Sequence, residues 1–477
     1  MGTRFEPTDG PARPDPFALP PDPGSAVAFH TARGATRGVN RRELLKWFSA
    51  GAGAAAVGGG AWLAGRGGDG ASGGSSPMGP APGGGDGGGD GGGDGPMATT
   101  PRSMQVPAAP ADRLLVMIEL AGGNDGLSMA APLGDGRYRD LRPSLAEPEG
   151  DPFVLDAATA LHPRLARVAA RGPAVLQGVG SLHPDYSHFE MQVRWWEGSP
   201  DASRVYDTGV LGRLADAVGD PDAPVVALSV SDGAHPIMFS RTASTLTVPD
   251  VGATWYLTGA NSDDVLRQRF QRAYRAFGAD AAEPYTARRR EVMERTVRLA
   301  EAVGEWDDDD HGGYRDDRLG NGLRMALRLF DRGVGLRIVH ITMDGGFDTH
   351  DGHGWKYPEL MSALDDNLGA FFDDLDAAGM ADKVLVATMS EFGRTVGENG
   401  SGGLDHGAAA SMLLLGPVMA GVHGEAPSFA GLSAEDGLPA TLSFDHYFGT
   451  IAERWFGVPS SEVIDGGTEV IDGLFAG

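Results

Sequence analysis

The stretch Met343–His353, MDGGFDTHDGH, carries three aspartates and two histidines in eleven residues. Carboxylate oxygens and neutral imidazoles are the usual ligands of zinc, manganese and magnesium. Three other clusters hold residues of the same kinds. GGNDG places Asp125 between glycines. HPDYSHFE carries His183, Ser187 and His188. SEFGRT and GGLDHG together carry Glu391, Arg394, Asp405 and His406. A hydroxyl beside metals held by such groups could be ionised and attack a phosphoryl or sulfuryl centre. An arginine could clamp the resulting oxyanion in a bidentate way.

Each cluster also has a plainer reading. Asp125 could shape a turn. Ser187 could cap a helix beginning near His188, with Glu190 as its capping-box partner. His350 could be a surface turn histidine, and Asp405–His406 could start a helix. WDDDDHGGYRDD, Trp306 to Asp317, reads as a solvated acidic loop rather than a metal site, and Asp445–His446 read as part of an amphipathic terminal helix.

The elements around these clusters favour convergence. LLVMIEL (Leu114–Leu120) is a continuous apolar run, as expected of a strand buried on both faces, and it ends in AGGNDG. Ala174–Gly180 leads into SLHPDYSHFE, Pro224–Val230 into SDGAHP, Leu336–Met343 into the opening stretch, and Lys383–Ser390 into EFGRT. A further run, Ser411–Gly416, follows GGLDHG. Helical spacing marks Pro358–Gly379, Gly320–Arg332, Ala287–Val303 and Ser443–Phe456. Apolar strands separated by helices predict an α/β fold with a mostly parallel central sheet and helices on both faces. In such sheets ligands bind outside the carboxyl ends of the strands.

Composition narrows the partners. The chain has 477 residues, no cysteine and a net charge of −26. The first 66 residues hold eight Lys/Arg and five Asp/Glu, a net +3, so the remainder carries −29. A body that acidic repels nucleic-acid backbones. The lack of cysteine excludes disulfides and thiolate chemistry. At residues 40–66, NRRELLKWFSAGAGAAAVGGGAWLAG resembles a twin-arginine export signal, with Arg41–Arg42 and Lys46 before a weakly apolar run. This implies the twin-arginine translocase as a partner and a periplasmic, cell-envelope or extracellular place. It also implies membrane association only through that segment if it is not cleaved. Residues 1–39 read as a disordered extension and residues 67–111 as a Gly/Pro/Asp-rich flexible linker. The folded domain is expected over 112–477.

The chain also resembles the exported bacterial family called domain of unknown function 1501, related to the alkaline phosphatase and sulfatase superfamily. The resemblance is carried by LAGGNDGLSMAAPLGDGRYRDLRPSLA, LHPRLA, GVGSLHPDYSHFEMQVRWWEG, GVLGRLAD, GGFDTHDGH, SEFGRTVGENGSGGLDHG and HYFGTIAERWFGV, in that order. It implies an alkaline-phosphatase-like fold and a metal-dependent hydrolase of phosphate or sulfate esters acting on a small ester or a glycan. A catalytically inactive envelope binding protein on the same fold is the alternative. The resemblance implies a divalent metal (zinc, manganese, magnesium or calcium) on Asp125, Asp348, His350, Glu391, Asp405 and His406. It makes Ser187 the nucleophile and Arg394 the oxyanion clamp. Asp344 competes with Asp348 as a ligand, and Asp351 and His353 are placed in the loop beyond. Phe392 stands where a two-metal hydrolase would have histidine.

Overall fold

The computed structural model describes residues 112–146, 150–248, 312–343 and 346–475, with strand 28–30 and positions 272, 294, 295 and 297–299. The export-signal segment, the linker, most of the expected helix 287–303, residues 306–311 of the acidic loop, and Asp344 lie outside the described residues.

Leu114–Leu120 (β1) is buried along its whole length, and so is Val384–Met389 (β6). Strands that apolar throughout are stable only when both sheet faces are covered. The covering elements include His188–Glu197 (α1), Val210–Val218 (α2), Arg318–Asp331 (α3) and His353–Ala378 (α4). Further strands of the sheet are Ala174–Gly180 (β2), Ala227–Val230 (β3), Thr245–Val248 (β4), Ile338–Met343 (β5), Ala410–Leu415 (β7) and Gly421–His423 (β8). From the Ala28–His30 edge the order runs β4, β3, β5, β1, β6, β7, β2, β8. The pairs β4–β3, β3–β5, β5–β1 and β1–β6 are parallel.

β7 runs against its neighbours, pairing antiparallel with both β6 and β2. Its beginning therefore lies where the other strands end. That reversal brings GGLDHG, which precedes β7, to the same edge as the loops that follow β5 and β6. Alternation and run length carry no information on strand direction, so this arrangement is a tertiary result.

α4 starts five residues before the expected Pro358 and takes in His353. Gly352, at φ 58°, turns the chain, and its carbonyl accepts from the Trp355 and Lys356 amides. The terminal helix is α-helical over Phe444–Thr450 and widens to a π-helix over Ile451–Phe456.

The loops after β6 and before β7 are zipped together. Gly407 donates to the Gly393 carbonyl at 2.8 Å, and Thr395 donates to Asp405 at 2.9 Å. A side chain at Gly393 would place its Cβ 1.9 Å from the Ala409 carbonyl oxygen. Backbone cannot yield there as a flexible side chain could, so Gly393→Ala is expected to lose about 1–3 kcal/mol, as overpacked cores do. Urea unfolding of the two proteins measures this, and an unchanged midpoint would contradict the zipper.

Candidate metal centre

The cluster forms around the Asp348 carboxylate. Asp348 and His350 lie in the loop after β5, His406 just before β7, and His188 is the first residue of α1. The Nε2 atoms of three imidazoles face Asp348 Oδ1: His350 at 3.2 Å, His188 at 3.5 Å and His406 at 3.6 Å.

Each imidazole is oriented from behind by an oxygen that can only accept. His188 Nδ1 is 2.8 Å from Glu391, His350 Nδ1 is 2.7 Å from Asp405, and His406 Nδ1 is 2.7 Å from the Tyr186 carbonyl. A neutral imidazole carries one N–H. These partners draw it to Nδ1, so all three Nε2 lone pairs point inward. The His350 and His406 Nε2 atoms are 2.9 Å apart, a contact that repels unless a cation or a proton lies between them. The buried Nε2 of His188 has no hydrogen-bond partner. A tetrahedral zinc with ligands at about 2.0–2.1 Å sets its ligand atoms roughly 3.3 Å apart. Four spacings around Asp348 and His350 lie near that value, and His188, Asp348 and His406 form a compact group whose ligand atoms all lie within 4.8 Å of one another. Oxygen acceptors behind each ligating histidine are the usual support of metal sites.

The electrostatics suit the same role. Burial works to raise the Asp348 carboxyl, but the Arg394 hydrogen bond and charge, with His188 and His350, outweigh it and hold it below the usual range. Burial lowers His406, opposed by its bond to Tyr186 and reinforced by His188, Arg394 and His350. At neutral pH the cluster therefore offers a carboxylate and a neutral His406. Asp348 and His350 are each 44% exposed, so the centre opens to solvent.

The other expected residues fall into place around it. Glu391 is buried, accepts from the Gly122 amide at 2.9 Å and from Gln192 at 3.2 Å, and holds His188. Asp405 holds His350 and accepts from Asn399 at 3.2 Å. Both sit behind the imidazoles, on Nδ1, which corrects the expectation that they are themselves metal ligands. Phe392 is buried and walls the cluster, its ring 4.7 Å from those of His188 and His406. Arg394 is buried too. It donates to the carbonyls of Gly122, Gly123, Phe347 and Leu404, and to Asp348 at 2.7 Å. These bonds position Asp348 and correct the expectation that Arg394 faces a substrate oxyanion. Ser187 is exposed at the N-cap position of α1 without a side-chain capping bond, while Glu190 bonds Arg194, so the expected capping box does not form.

Asp125 is not brought to the cluster. It is buried and bound by both terminal nitrogens of Arg142, at 2.6 and 3.0 Å. Burial alone would raise its pKa, but Arg142 and His353 reverse the effect and lower it. His353, expected in a loop, is a buried helix residue 3.4 Å from Asp125, with Nδ1 on Thr349 at 2.8 Å. Asp351 pairs with Lys356 on the surface. His188, present in the HPDYSHFE cluster but not among the expected metal ligands, is ligand-like in the structure and stands one position after Ser187. Its place as first residue of a helix following a strand-end loop was the available signal.

The chain matches the family described as "Protein of unknown function (DUF1501)" over residues 157–442, and it belongs to that family. No curated protein matches it. Among solved structures it is similar to the lipoteichoic acid synthase LtaP from Listeria monocytogenes, at 7% identity, 75% of each chain and TM-score 0.34. It is also similar to the PsFucS1 sulfatase from Pseudoalteromonas sp., at 12% identity, 76% of this chain, 71% of that one and TM-score 0.34. A third is the alkaline phosphatase from the Antarctic bacterium TAB5, at 12% identity, 66% of this chain, 95% of that one and TM-score 0.29. Likenesses of this size say nothing about activity.

The Asp125–Arg142 pair stabilises the fold above the ordinary aspartate range, and its contribution is lost as pH falls through the lowered folded value. Asp125→Ala leaves the Arg142 charge buried without its carboxylate, an expected loss of about 3–5 kcal/mol. Bound metal per chain is expected to stay unchanged. Denaturant unfolding with elemental analysis checks both, and a lost metal ion would return Asp125 to the centre.

Proposed function

We propose that the protein is a metal-dependent hydrolase of phosphate or sulfate esters, with the metal held by His188, Asp348, His350 and His406. The observation that carries this is the inward convergence of three imidazole lone pairs on one carboxylate, at a solvent-open strand-end edge. A bound divalent ion such as zinc or manganese would supply Lewis-acid polarisation of an ester oxygen. Glu391, Asp405 and the Tyr186 carbonyl fix the imidazole tautomers, and Arg394 fixes Asp348. Ser187 lies in the chain between Tyr186, whose carbonyl holds His406, and His188. Its exposed hydroxyl, free of a capping bond, is the proposed nucleophile. The substrate class is a small ester or a glycan ester.

The engagement of Arg394 by four carbonyls favours a second reading, in which the same centre binds an envelope ligand without turning it over. A phosphate- and sulfate-ester screen on metal-loaded protein decides between them. Hydrolysis that disappears in Asp348→Asn, and in Ser187→Ala without loss of metal, is the expected result. Metal affinity is expected to drop about 10–100-fold in Asp405→Ala and Glu391→Gln. It should also weaken as pH falls through the imidazole range, because the ligands must be neutral. A wild type that holds no metal defeats both readings, and a metal-loaded protein inert to every ester leaves the binding reading.

Export through the twin-arginine translocase to the periplasm, envelope or exterior is part of the proposal, resting on Arg41, Arg42 and Lys46. No helix among the described residues is long and apolar enough to cross a membrane. Replacing Arg41 and Arg42 with lysine is expected to retain the protein in the cytoplasm. Fractionation showing unchanged export would remove that pathway.

A further inference from the structure

A second cluster is built into the sheet itself. Glu119 on β1 and His340 on β5 point to one sheet face, since Met117 is paired with His340 and Glu119 with Thr342. Both side chains are buried. An unpaired carboxylate there would be very costly. Glu119 Oε1 accepts from the Trp196 indole at 2.8 Å. Its Oε2 is 3.1 Å from His340 Nε2 and 3.2 Å from His235 Nε2. His235 comes from the SDGAHP loop after β3, and its ring lies 4.3 Å from that of His340.

The hydrogen-bond directions decide what His340 presents to Glu119. Ser231 Oγ donates its proton to the Gly233 carbonyl at 3.0 Å. It can then only accept from Ser229 Oγ, 2.9 Å away. Ser229, having donated, accepts from His340 Nδ1 at 3.1 Å. The His340 proton is thereby drawn to Nδ1, and in the neutral ring the Nε2 lone pair faces a carboxylate oxygen. Two such atoms at 3.1 Å repel unless a cation or proton joins them. Protonating both imidazoles would leave a net positive charge buried in the sheet.

We infer that Glu119, His235 and His340 form a second divalent-metal site, of the two-histidine, one-carboxylate type, separate from the centre around Asp348. The spacings of 3.1 and 3.2 Å are close to the roughly 3.3 Å edge of a tetrahedron with ligands at about 2.0–2.1 Å. Trp196 occupies Oε1, so Glu119 binds through one oxygen. The set suits zinc or another first-row divalent ion. His235, 12% exposed, is the route of entry. The ion ties the loop carrying His235 to the two central strands.

The full chain, stripped with a chelator and reloaded with zinc, tests this by elemental analysis and by the visible absorption of the cobalt form. The Asp348→Asn chain is expected to retain one ion, and adding Glu119→Gln or His340→Gln should abolish it. Ser229→Ala should weaken zinc at this site about 10–100-fold by releasing the His340 tautomer. Zinc should also raise the melting temperature of Asp348→Asn, and Glu119→Gln should remove that rise. Glu119→Gln keeps the side chain's size, and its circular dichroism without metal establishes that it folds. An Asp348→Asn chain that holds no ion, or an ion count and melting shift untouched by folded Glu119→Gln, leaves a protonated hydrogen-bonded trio and overturns the site. Loss of the Asp348 centre alone would not, since the two centres are counted in separate variants.

Discussion

The placement of one proton on each of three imidazoles governs the site. Glu391, Asp405 and the Tyr186 carbonyl all lie on the Nδ1 side and all accept. With each N–H drawn outward, three lone pairs meet at Asp348, and Arg394 keeps the Asp348 carboxylate ionised and in place. Removing any one acceptor would let its ring choose the other tautomer and turn an inward lone pair into a donor. The site thus depends less on its ligand atoms than on the oxygens behind them.

Those oxygens come from distant parts of the chain and must be held against one another. Glu391 binds the Gly122 amide, and Arg394 binds the Gly122 and Gly123 carbonyls, so the turn after β1 is clamped to the loop after β6. Gly122 takes φ 114°, and a Cβ there would fall 2.7 Å from the Asp348 amide nitrogen. The glycines of AGGNDG therefore serve close approach of three loops, while Asp125 in the same motif serves the buried Arg142. A motif that reads as one ligand site in the sequence divides into a packing device and a buried ion pair.

Much was legible beforehand. β1 and β2 begin and end where the apolar runs do, because continuous burial leaves a continuous apolar signature. Asp348, His350 and His406 were flagged from residue type and from their position beside strands, and the structure brings them together. The ordering within the site was not legible. Glu391 and Asp405 have ligand chemistry, but whether a carboxylate meets a metal or the back of an imidazole depends on a few ångströms. Tyr186 and the Glu119–His340 pairing carried no local signal, and His188 only its place at a helix start after a strand-end loop. A histidine within an apolar strand such as IVHITM looks like any buried polar residue until its cross-strand neighbours are known.

The sequence by itself determined the class of fold, the family, the acidic and cysteine-free character, and the set of residues able to do chemistry. Each of these follows from composition, periodicity or contiguous motif. The tertiary structure alone decided which residues are ligand-like and which orient them. It also decided that Asp125 belongs to Arg142, and that GGLDHG reaches the site because β7 runs backwards. These outcomes rest on strand direction, register and hydrogen-bond direction, which are set by contacts between segments from 17 to more than 200 residues apart and leave no trace in local spacing.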